Sequence, residues 1–566
     1  MHIQLNGQTE SNFQSRKISI SNPSIKLGDA LLLIAEEAKF NLSFNPVILA
    51  VDSLLNINVK QKTAAVVFEQ ILPKNIVVRE MGNSIILQEK PANNIIEKAT
   101  ISIEGIVSSS NMPIENVLVF EVSGLTSDLS DENGHFKIEV EVGEFSDIRL
   151  SIAKEGYRDT LLSLPLEDQN VEIKLEKLSP KEIEGPPHAI SKKGYKDFHI
   201  SRVLVPKKVQ IRTEDAPFIV YREFQFSIFP GLSTNSKMSG NVENKYSLNL
   251  IGGYSYGTGA LELGSVFNID RKYLEGIQLA GAFNFVGGKV DGVQMSGAAN
   301  IVGERIEGVQ LSGGINFVYG DQQGLQMAGG VNVNLGNTEG AQISGGYNQA
   351  KDLDGLQLSG GLNAVIGTNH GLQIAPINYS TILKGKQIGI VNVADSATGT
   401  PIGLFSFVRK GGYQQLEFSA DEISYGNLNL KMGVPHFYNI FSAGFGYHQD
   451  DLFWNYGLGV GKEKRTAADR PLNYELKFHW LFKEVNNSFD HYGLVKWQFL
   501  IQNKAKHKLR ISYGPSVNLM GFEHKHTESS DYQDIPPYTF YNEKVEDLQL
   551  QAWIGFSLSL GFRDFF

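Results

Sequence analysis

The sequence predicts a mainly β fold: a small α/β domain, an immunoglobulin- or transthyretin-like β-sandwich and a large transmembrane β-barrel. Three patterns lead to this prediction. They are an alternating glycine-rich repeat in the middle of the chain, a long alternating segment at its C-terminus and a helical periodicity near its N-terminus. The 566 residues are enough for several domains.

The repeat occurs eight times between Gly276 and Asn392. Its clearest copies read GIQLAGAFNFVGG, GVQLSGGINFVYG, GLQMAGGVNVNLG and GLQLSGGLNAVIG. The glutamines are separated by 16 residues four times, and then by 15, 16 and 14. A fixed period indicates units that pair with their neighbours, because no single unit buries its surface alone.

Each repeat reads as β-structure, because apolar and small polar side chains alternate along it. About 10 to 11 residues per unit suit a tilted strand that crosses a bilayer. Strands cross lipid only as a closed barrel, with apolar side chains outward and polar ones inward. A parallel β-solenoid is the alternative: stacked coils also produce regular repeats and asparagine ladders, and the Gly-Gly in mid-unit could be a corner.

The flanking sequence favours the barrel. Between Leu548 and Phe562 apolar residues alternate with small or polar ones, in a run too long for a solenoid cap, and Phe565-Phe566 follows. We therefore expect one barrel from about Tyr221 to Phe566, with roughly 18–20 strands and the repeats at 276–395 in the middle. Further strands are predicted in YSLNLIGGYSY, ALELGSVFNI, YNIFSAGFGYH, LFWNYGLGVG, NYELKFHWLF, YGLVKWQFLI and LRISYGPSVNL. Residues 412–434 could hold one, two or three strands.

The repeat amides are the candidate lumen-facing residues. They are Gln278, Gln294, Gln310, Gln326, Gln342, Gln357, Gln373, Gln387, Asn284, Asn300, Asn316, Asn332, Asn348, Asn363, Asn378 and Asn392. They could line a pore for polar solutes, or form hydrogen-bonded ladders that fill a wall, and we favour the ladders. A strongly ion-selective filter is not expected, because these strands carry no ring of charge.

Composition excludes some classes of partner and site. The net charge of −10 argues against nucleic acid, whose phosphates need a basic surface. The sequence has no cysteine, which excludes disulfides and thiolate metal sites, and no run of 18 apolar residues. We expect residues 1–16 to be disordered. MHIQLNGQTESNF lacks the charged and apolar regions of a signal peptide, and a barrel of this kind needs export, so we expect that a signal peptide was removed or omitted.

Residues 17–90 predict a small α/β domain. KISI and INVK read as strands, the apolar residues from Leu27 to Phe40 recur with helical spacing, and Thr63 can cap a second helix before a hairpin at Gly82-Asn83. The segments LGDALLLIAEEAKFNLSFNP and INVKQKTAAVVFEQIL give this domain a resemblance to the secretin and TonB short N-terminal domain. That resemblance implies a periplasmic module that docks inner-membrane regulators or belongs to a periplasmic ring.

Residues 100–176 predict a β-sandwich that resembles the carboxypeptidase regulatory-like domain, which is non-catalytic. Asn133-Gly134 supplies a turn that tolerates positive φ, and Phe136 is expected to enter the core. The matching positions are Gly105, Val107, Pro113, Val117, Val119, Asp131, Gly134, Phe136, Gly156 and Tyr157. Residues 177–220, rich in Lys, Pro and Glu, are predicted to be a linker.

Few residues suggest chemistry. His524, His526 and Glu528 could hold a metal, although a solvated barrel loop is the simpler reading, so we predict no metal site. We find no G-x-S-x-G elbow and no triad spacing, so we expect no enzyme and no cofactor. The roughly 40 residues before the barrel are too few for the plug of a TonB-dependent transporter.

The order of the three parts resembles outer-membrane proteins of the Bacteroidota type, and the repeats resemble their glycine-rich surface repeats. This resemblance implies a bacterial outer-membrane location with the N-terminal domains in the periplasm. The expected partners are outer-membrane lipid and a periplasmic or inner-membrane protein bound by residues 17–176. The expected role is envelope coupling, or that of an accessory subunit of an outer-membrane machine. The alternatives are a passive channel or uptake protein for polar solutes and a plug-less TonB-linked receptor.

Overall fold

The computed structural model describes residues 16–45, 48–81, 84–89, 99–122, 125–142, 147–178, 203–216, 219–448, 451–466, 470–485, 488–503, 508–523, 538–545 and 548–563. Strands predominate throughout these ranges. The chain divides into two compact units, residues 1–320 and residues 321–566.

The first unit begins with an α/β segment. Its core contains Leu31, Ile34 and Phe68, which are inaccessible to solvent because the apolar faces of both helices turn inward. The first helix ends at Glu37, just before Lys39 adopts a positive φ of 53°. In chain order the elements are strand Lys17–Lys26, helix Leu27–Glu37, strands Asn41–Phe44 and Leu54–Thr63, helix Ala64–Ile71, and strands Ile76–Met81 and Ser84–Glu89.

Residues 99–178 form two small sheets around a shared apolar core. Phe136 is buried in this core, and Gly134 makes the preceding turn with φ of +77°. One sheet contains His135–Val142, Ala99–Ser109, Gln169–Lys174 and the short Met112–Pro113. The other contains Thr160–Leu164, Ile148–Ala153, Leu118–Glu121 and Ser127–Leu129.

Helix Lys207–Asp215 lies within the residues predicted to be a linker. Its Val209, Arg212 and Thr213 are buried, so this stretch is packed rather than extended. Arg212 is within 3.5 Å of Asp128 of the sandwich, which compensates part of the cost of burying a cation.

Parallel strands follow in the first unit, and we call this stacked structure the solenoid. Each repeat contributes a front strand, which contains the glutamine, and a back strand, which contains the asparagine; together they form one coil. The solenoid strands in this unit are Val220–Phe229, Val242–Asn249, Gly252–Gly264, Phe267–Ala280, Phe283–Val286, Lys289–Ser296, Ala299–Val302, Ile306–Ser312 and Ile315–Val318. The short strand Leu232–Ser233 pairs antiparallel with the first of them, and a 3₁₀ helix lies at Ser236–Asn241.

The second unit begins with coils of the same kind, and its strands also stack in parallel. They are Gln322–Ala328, Val331–Asn334, Thr338–Ser344, Tyr347–Ala350, Leu353–Ser359, Leu362–Asn369, Leu372–Ile374, Ile377–Leu383, Lys386–Ala397 and Thr400–Lys410.

The prediction of one barrel from about Tyr221 to Phe566 is therefore wrong for the repeats, and the solenoid alternative is confirmed. Parallel stacking at the repeat period places each residue on its own counterpart, as Gln294 on Gln310 and Asn300 on Asn316. The glycine that opens each repeat permits this approach: Gly308 has φ of +139°, and a Cβ there would lie 2.0 Å from a carbonyl oxygen of Gly292.

An antiparallel barrel of eight strands follows in the described part of the second unit, in place of the roughly 18–20 predicted. The first strand pairs with the second and also with the last, as in Leu416 with Phe562, which closes the barrel. Residues 412–434 hold two of the strands, and the predicted C-terminal strands are confirmed. The eight are Tyr413–Ala420, Gly426–Val434, Phe437–His448, Asp451–Arg465, Pro471–Val485, Ser488–Gln502, Leu509–Glu523 and Leu548–Arg563; Tyr541–Val545 adds a hairpin arm.

Candidate functional site

The sixteen amides predicted as candidate lumen-facing residues lie inside the coils and not in the barrel. Every one of them is fully buried, with 0% of its surface exposed. They form two rows, the glutamines of the front strands and the asparagines of the back strands. The structure thus places them in ladders that fill the interior of the solenoid.

The glutamine ladder has a direction. In the first unit, Nε2 of Gln294 donates to Oε1 of Gln278, and Nε2 of Gln310 donates to Oε1 of Gln294, both at 2.8 Å. In the second unit, Gln357 and Gln373 repeat this geometry at 2.8 Å. Each amide nitrogen therefore points to the preceding coil, and each amide oxygen to the next.

The asparagine ladder runs the opposite way. Nδ2 of Asn284 donates to Oδ1 of Asn300 at 2.9 Å, in the following coil, and also to a backbone carbonyl oxygen. Asn348 and Asn363 of the second unit are linked in the same sense at 3.0 Å. Two antiparallel rows of amide dipoles lie side by side, so their fields oppose each other within one coil.

Glu262 occupies the glutamine position at the head of the ladder. Its Oε2 accepts from Nε2 of Gln278 at 2.8 Å, and its Oε1 accepts from Nδ2 of Asn249 at 2.9 Å. Both oxygens of Glu262 act as acceptors here, so Gln278 presents its nitrogen to Glu262, and this sets the direction of the row.

Asp270 lies beside Glu262, and Gln278 Nε2 also donates to its Oδ2 at 3.1 Å. Burial raises the pKa of Asp270 well above its usual value, and the charge of Glu262 raises it further. Burial also raises the pKa of Glu262. Two carboxyl groups this close and this buried favour a shared proton.

The ladder ends at Gln387, whose counterpart in the next coil is Pro401. Proline has no side-chain donor, and Oε1 of Gln387 accepts no hydrogen bond from the described residues. The glutamine ladder therefore begins at a carboxylate in the first unit, and in the second unit it ends at a proline.

The barrel lumen is filled by charged and aromatic side chains. Lys431 Nζ lies 2.9 Å from Glu417 Oε2 and 2.5 Å from Glu475 Oε1, and all three side chains are buried. Tyr438 donates its hydroxyl to the same Glu475 oxygen at 2.9 Å, and its ring stacks on Tyr413 at 4.1 Å.

A second set of contacts blocks another level of the lumen. The turn after the first barrel strand folds inward, where Asp421 Oδ2 lies 2.5 Å from Lys496 Nζ. Its neighbour Glu422 accepts hydrogen bonds from Trp553 Nε1 at 2.8 Å and from Asn518 Nδ2 at 3.1 Å. An eight-stranded barrel is just wide enough to be filled by its own side chains, and here it is.

The barrel wall is apolar on its outer side. In the last strand Ile554, Phe556 and Leu558 are about half exposed, whereas the alternate residues Trp553 and Ser557 are buried inside. A water-soluble protein buries apolar side chains and exposes charged ones, so the barrel has the opposite distribution.

An apolar cleft of about 1000 Å³ separates the last coils of the solenoid from this wall, all within the second unit. Its solenoid side includes Ile388, Ile390 and Ile402. Its barrel side includes Leu458 and Val495. This volume lies at the upper end of the range for small-molecule sites, about 300–1,000 Å³.

His524, His526 and Glu528 of the predicted loop lie outside the described residues. Among the residues that are described, no group of three His, Cys, Asp or Glu side chains could hold a metal ion. No helix in that part of the chain is both long and apolar enough to cross a membrane.

Sequence reasoning missed the lumen network and the polar contact that joins solenoid and barrel. Asn439 donates its amide to the carbonyl oxygens of Gly403 and Leu404 in the last coil. One signal was present: Lys431, Glu417 and Glu475 stand at the polar positions of strands in which polar and apolar residues alternate.

No protein-family description matches the chain, and no curated protein matches it significantly.

Proposed function

We propose that this protein is a non-enzymatic outer-membrane protein whose barrel anchors it in lipid and whose N-terminal modules dock an envelope partner. In this proposal residues 17–176 lie in the periplasm and bind a periplasmic or inner-membrane protein. The role is envelope coupling, or that of an accessory subunit of a larger outer-membrane machine.

The reversed polarity of the barrel is the observation that carries the proposal. Trp454 and Phe556 are 59% and 56% exposed on the wall, whereas Lys431 inside is 0% exposed. In water this arrangement would expose a continuous apolar band and bury charge. In a bilayer the apolar wall faces hydrocarbon, and closure of the barrel pairs the backbone of every strand edge, so the same arrangement is favourable.

The filled lumen favours an anchor over a channel. Lys431 with its two carboxylates and the inward turn at Asp421 and Glu422 obstruct the lumen at two levels. The buried amides of the solenoid provide no alternative path, because they bond to one another rather than to a water-filled space. A passive channel would require these contacts to open.

The arrangement of the first unit suits a docking role. Arg79 of the α/β segment forms an ion pair with Glu223 of the first solenoid strand at 2.9 Å, and its guanidinium lies over the ring of Tyr221. Leu118 and Phe120 of the sandwich share an apolar core with Met238 of the solenoid. Force applied to either N-terminal module would reach the solenoid through these packed contacts.

Vesicle flotation of the full chain tests the anchor. We expect the purified protein to insert into phosphatidylcholine vesicles and float with them after a high-salt wash. Phe556→Arg should reduce insertion, because an arginine on the lipid face costs about 2–4 kcal/mol near the bilayer midplane. Glu339→Gln, at an exposed solenoid turn, is the control.

A monodisperse protein that stays soluble without detergent and does not float would overturn the anchor. Planar-bilayer recording separates the anchor from the channel. We expect no discrete openings from the inserted protein, and reproducible openings would favour the channel.

A further inference from the structure

We infer that the solenoid of the second unit has a lipid-contacting edge, and that an acyl chain of the surrounding bilayer occupies the cleft between this edge and the barrel wall. The edge consists of the bends that join front to back strands; we call it the glycine edge, and in two coils it is Gly345-Gly346 and Gly360-Gly361. The inference rests on the membrane location proposed for the barrel.

Charge is segregated within the coils. The charged residues of the second-unit solenoid stand in the turns opposite the glycine edge or at the adjoining strand ends. They are Asp321, Glu339, Lys351, Asp352, Asp354, Lys384, Lys386, Asp395, Arg409 and Lys410. The bends and their flanking strand segments carry no Asp, Glu, Lys or Arg. Their outward side chains are apolar, as at Ile390 and Leu404, which are 53% and 48% exposed.

The backbone at the glycine edge is hydrogen-bonded without help from water. The amide of Gly346 donates to the carbonyl of Gly330 at 2.9 Å, and that of Leu362 donates to Gly346 at 2.9 Å. Ile377 continues the series by donating to Gly361 at 3.1 Å. An unpaired backbone group costs several kcal/mol in hydrocarbon, and the pairing of these amides between coils removes that cost where the bends contact lipid.

The last coil is attached to the barrel wall at an apolar level. Phe405 stacks on Phe441 with ring centroids 5.1 Å apart. Strand register places Phe441 beside Leu458, and Leu458 beside Phe478, so the coil meets a belt of apolar side chains. Phe441 is four residues into Phe437–His448, roughly 13 Å along the strand, a distance shorter than the ~30 Å thickness of a hydrocarbon core.

Asn439 completes the junction. A sheet edge in hydrocarbon leaves backbone carbonyls unpaired, and Asn439 satisfies two of them by donating to Gly403 and Leu404. Asn439 itself has the outward parity of the wall strand but is only 7% exposed, because the coil covers it. A polar side chain on the lipid side of the barrel thus has a partner in the solenoid.

These observations select lipid over other occupants. The cleft is bordered by the glycine edge and by the wall proposed to face lipid, so acyl chains that cover the wall can enter it without crossing a polar boundary. A water-filled cleft with this lining would expose a large apolar patch. A second copy of the chain and a partner protein are the competing occupants.

Single-cysteine labelling can distinguish the occupants, since the chain has no cysteine of its own. The full chain would carry Ile390→Cys in the cleft, Phe556→Cys on the wall or Glu339→Cys at an exposed turn. Each variant would be labelled with a polarity-sensitive fluorophore and reconstituted in phosphatidylcholine vesicles. Quenching by a nitroxide on the acyl chain would be compared with quenching by an aqueous nickel chelate.

We expect the labels at Ile390→Cys and Phe556→Cys to be quenched several-fold more by the acyl-chain nitroxide than the label at Glu339→Cys. If lipid shields the label at Phe556→Cys but water reaches the label at Ile390→Cys, the proposed lipid contact of the glycine edge and cleft is refuted. The proposed membrane anchor is then retained. Water access at both positions would overturn the anchor. A label at Ile390→Cys protected from both quenchers, with dimers on cross-linking, would show that a second copy fills the cleft.

Discussion

Removing one amide from the middle of the glutamine ladder should destabilise its coil far more than the same change at an exposed glutamine. Gln294→Leu keeps the approximate volume of the side chain and removes both of its ladder bonds. Oε1 of Gln278 then loses its donor at 2.8 Å, and Nε2 of Gln310 loses its acceptor at 2.8 Å. Both remaining amides are fully buried, so water cannot replace what they lose.

The magnitude follows from these two groups. A buried polar group left without its partner costs about 1–3 kcal/mol, so two of them cost about 2–6 kcal/mol. The leucine needs no hydrogen bond of its own, which offsets part of this cost, and we expect a net loss of about 2–4 kcal/mol. Gln323→Leu is the matched control, because Gln323 is exposed and its bond to Glu339 is a surface contact. Its effect should stay within about 0.5 kcal/mol.

Hydrogen exchange followed by mass spectrometry is the assay, because a chain with several units has no single free energy of unfolding. Peptides covering residues 289–318 should lose protection by about 30- to 1000-fold in Gln294→Leu, since ~1.4 kcal/mol corresponds to a factor of ten. Peptides from the barrel should be unaffected. A change below about threefold in residues 289–318, in a folded variant, would refute the view that the ladder stabilises the solenoid.

Two further predictions concern the first unit. Gly308→Ala should abolish protected exchange in its own and the preceding coil, because the new Cβ would meet the Gly292 carbonyl oxygen at 2.0 Å and φ is +139° there. Protection equal to that of the unchanged chain would contradict this. The pKa of Asp270 is raised above its usual value of 3.8 in the folded state. Between these two pKa values the folded state therefore keeps a proton that the unfolded state has released. Stability of residues 252–280 should therefore be greatest below about pH 4 and fall as pH rises towards the folded pKa, by at most ~1.4 kcal/mol per pH unit. Intrinsic-rate-corrected exchange should show this slope, and Asp270→Asn should weaken it and leave only the part due to the buried Glu262. An unchanged slope in Asp270→Asn would assign it to another group.

The alternating pattern of the central and C-terminal regions was enough to predict β-structure there and to predict which side chains share a face. In a β-strand, neighbouring side chains point to opposite faces whether the strand belongs to a barrel or to a coil. Gln310 and Asn316 therefore face the opposite side from Val309 and Ile315 in either fold. The same alternation from Leu548 to Phe562 correctly gave the last strand of the barrel.

The pairing of the strands could not be predicted from this pattern and is seen only in the folded chain. Parallel coils and antiparallel hairpins share the local pattern, and they differ in whether Gln294 meets Gln310 or another residue, which is a non-local choice. The parallel pairing of the coils follows from two kinds of contact between neighbouring coils. The sequence shows which residues make these contacts, glycines and amides, but not that they meet. The glycines allow one backbone to lie against the next, as Gly308 lies on Gly292, and identical amides can bond only when they are in register. The rows of amides end in the last coil, where Pro401 and Ser406 stand opposite Gln387 and Asn392 and neither is an amide, and the first barrel strand follows at Tyr413.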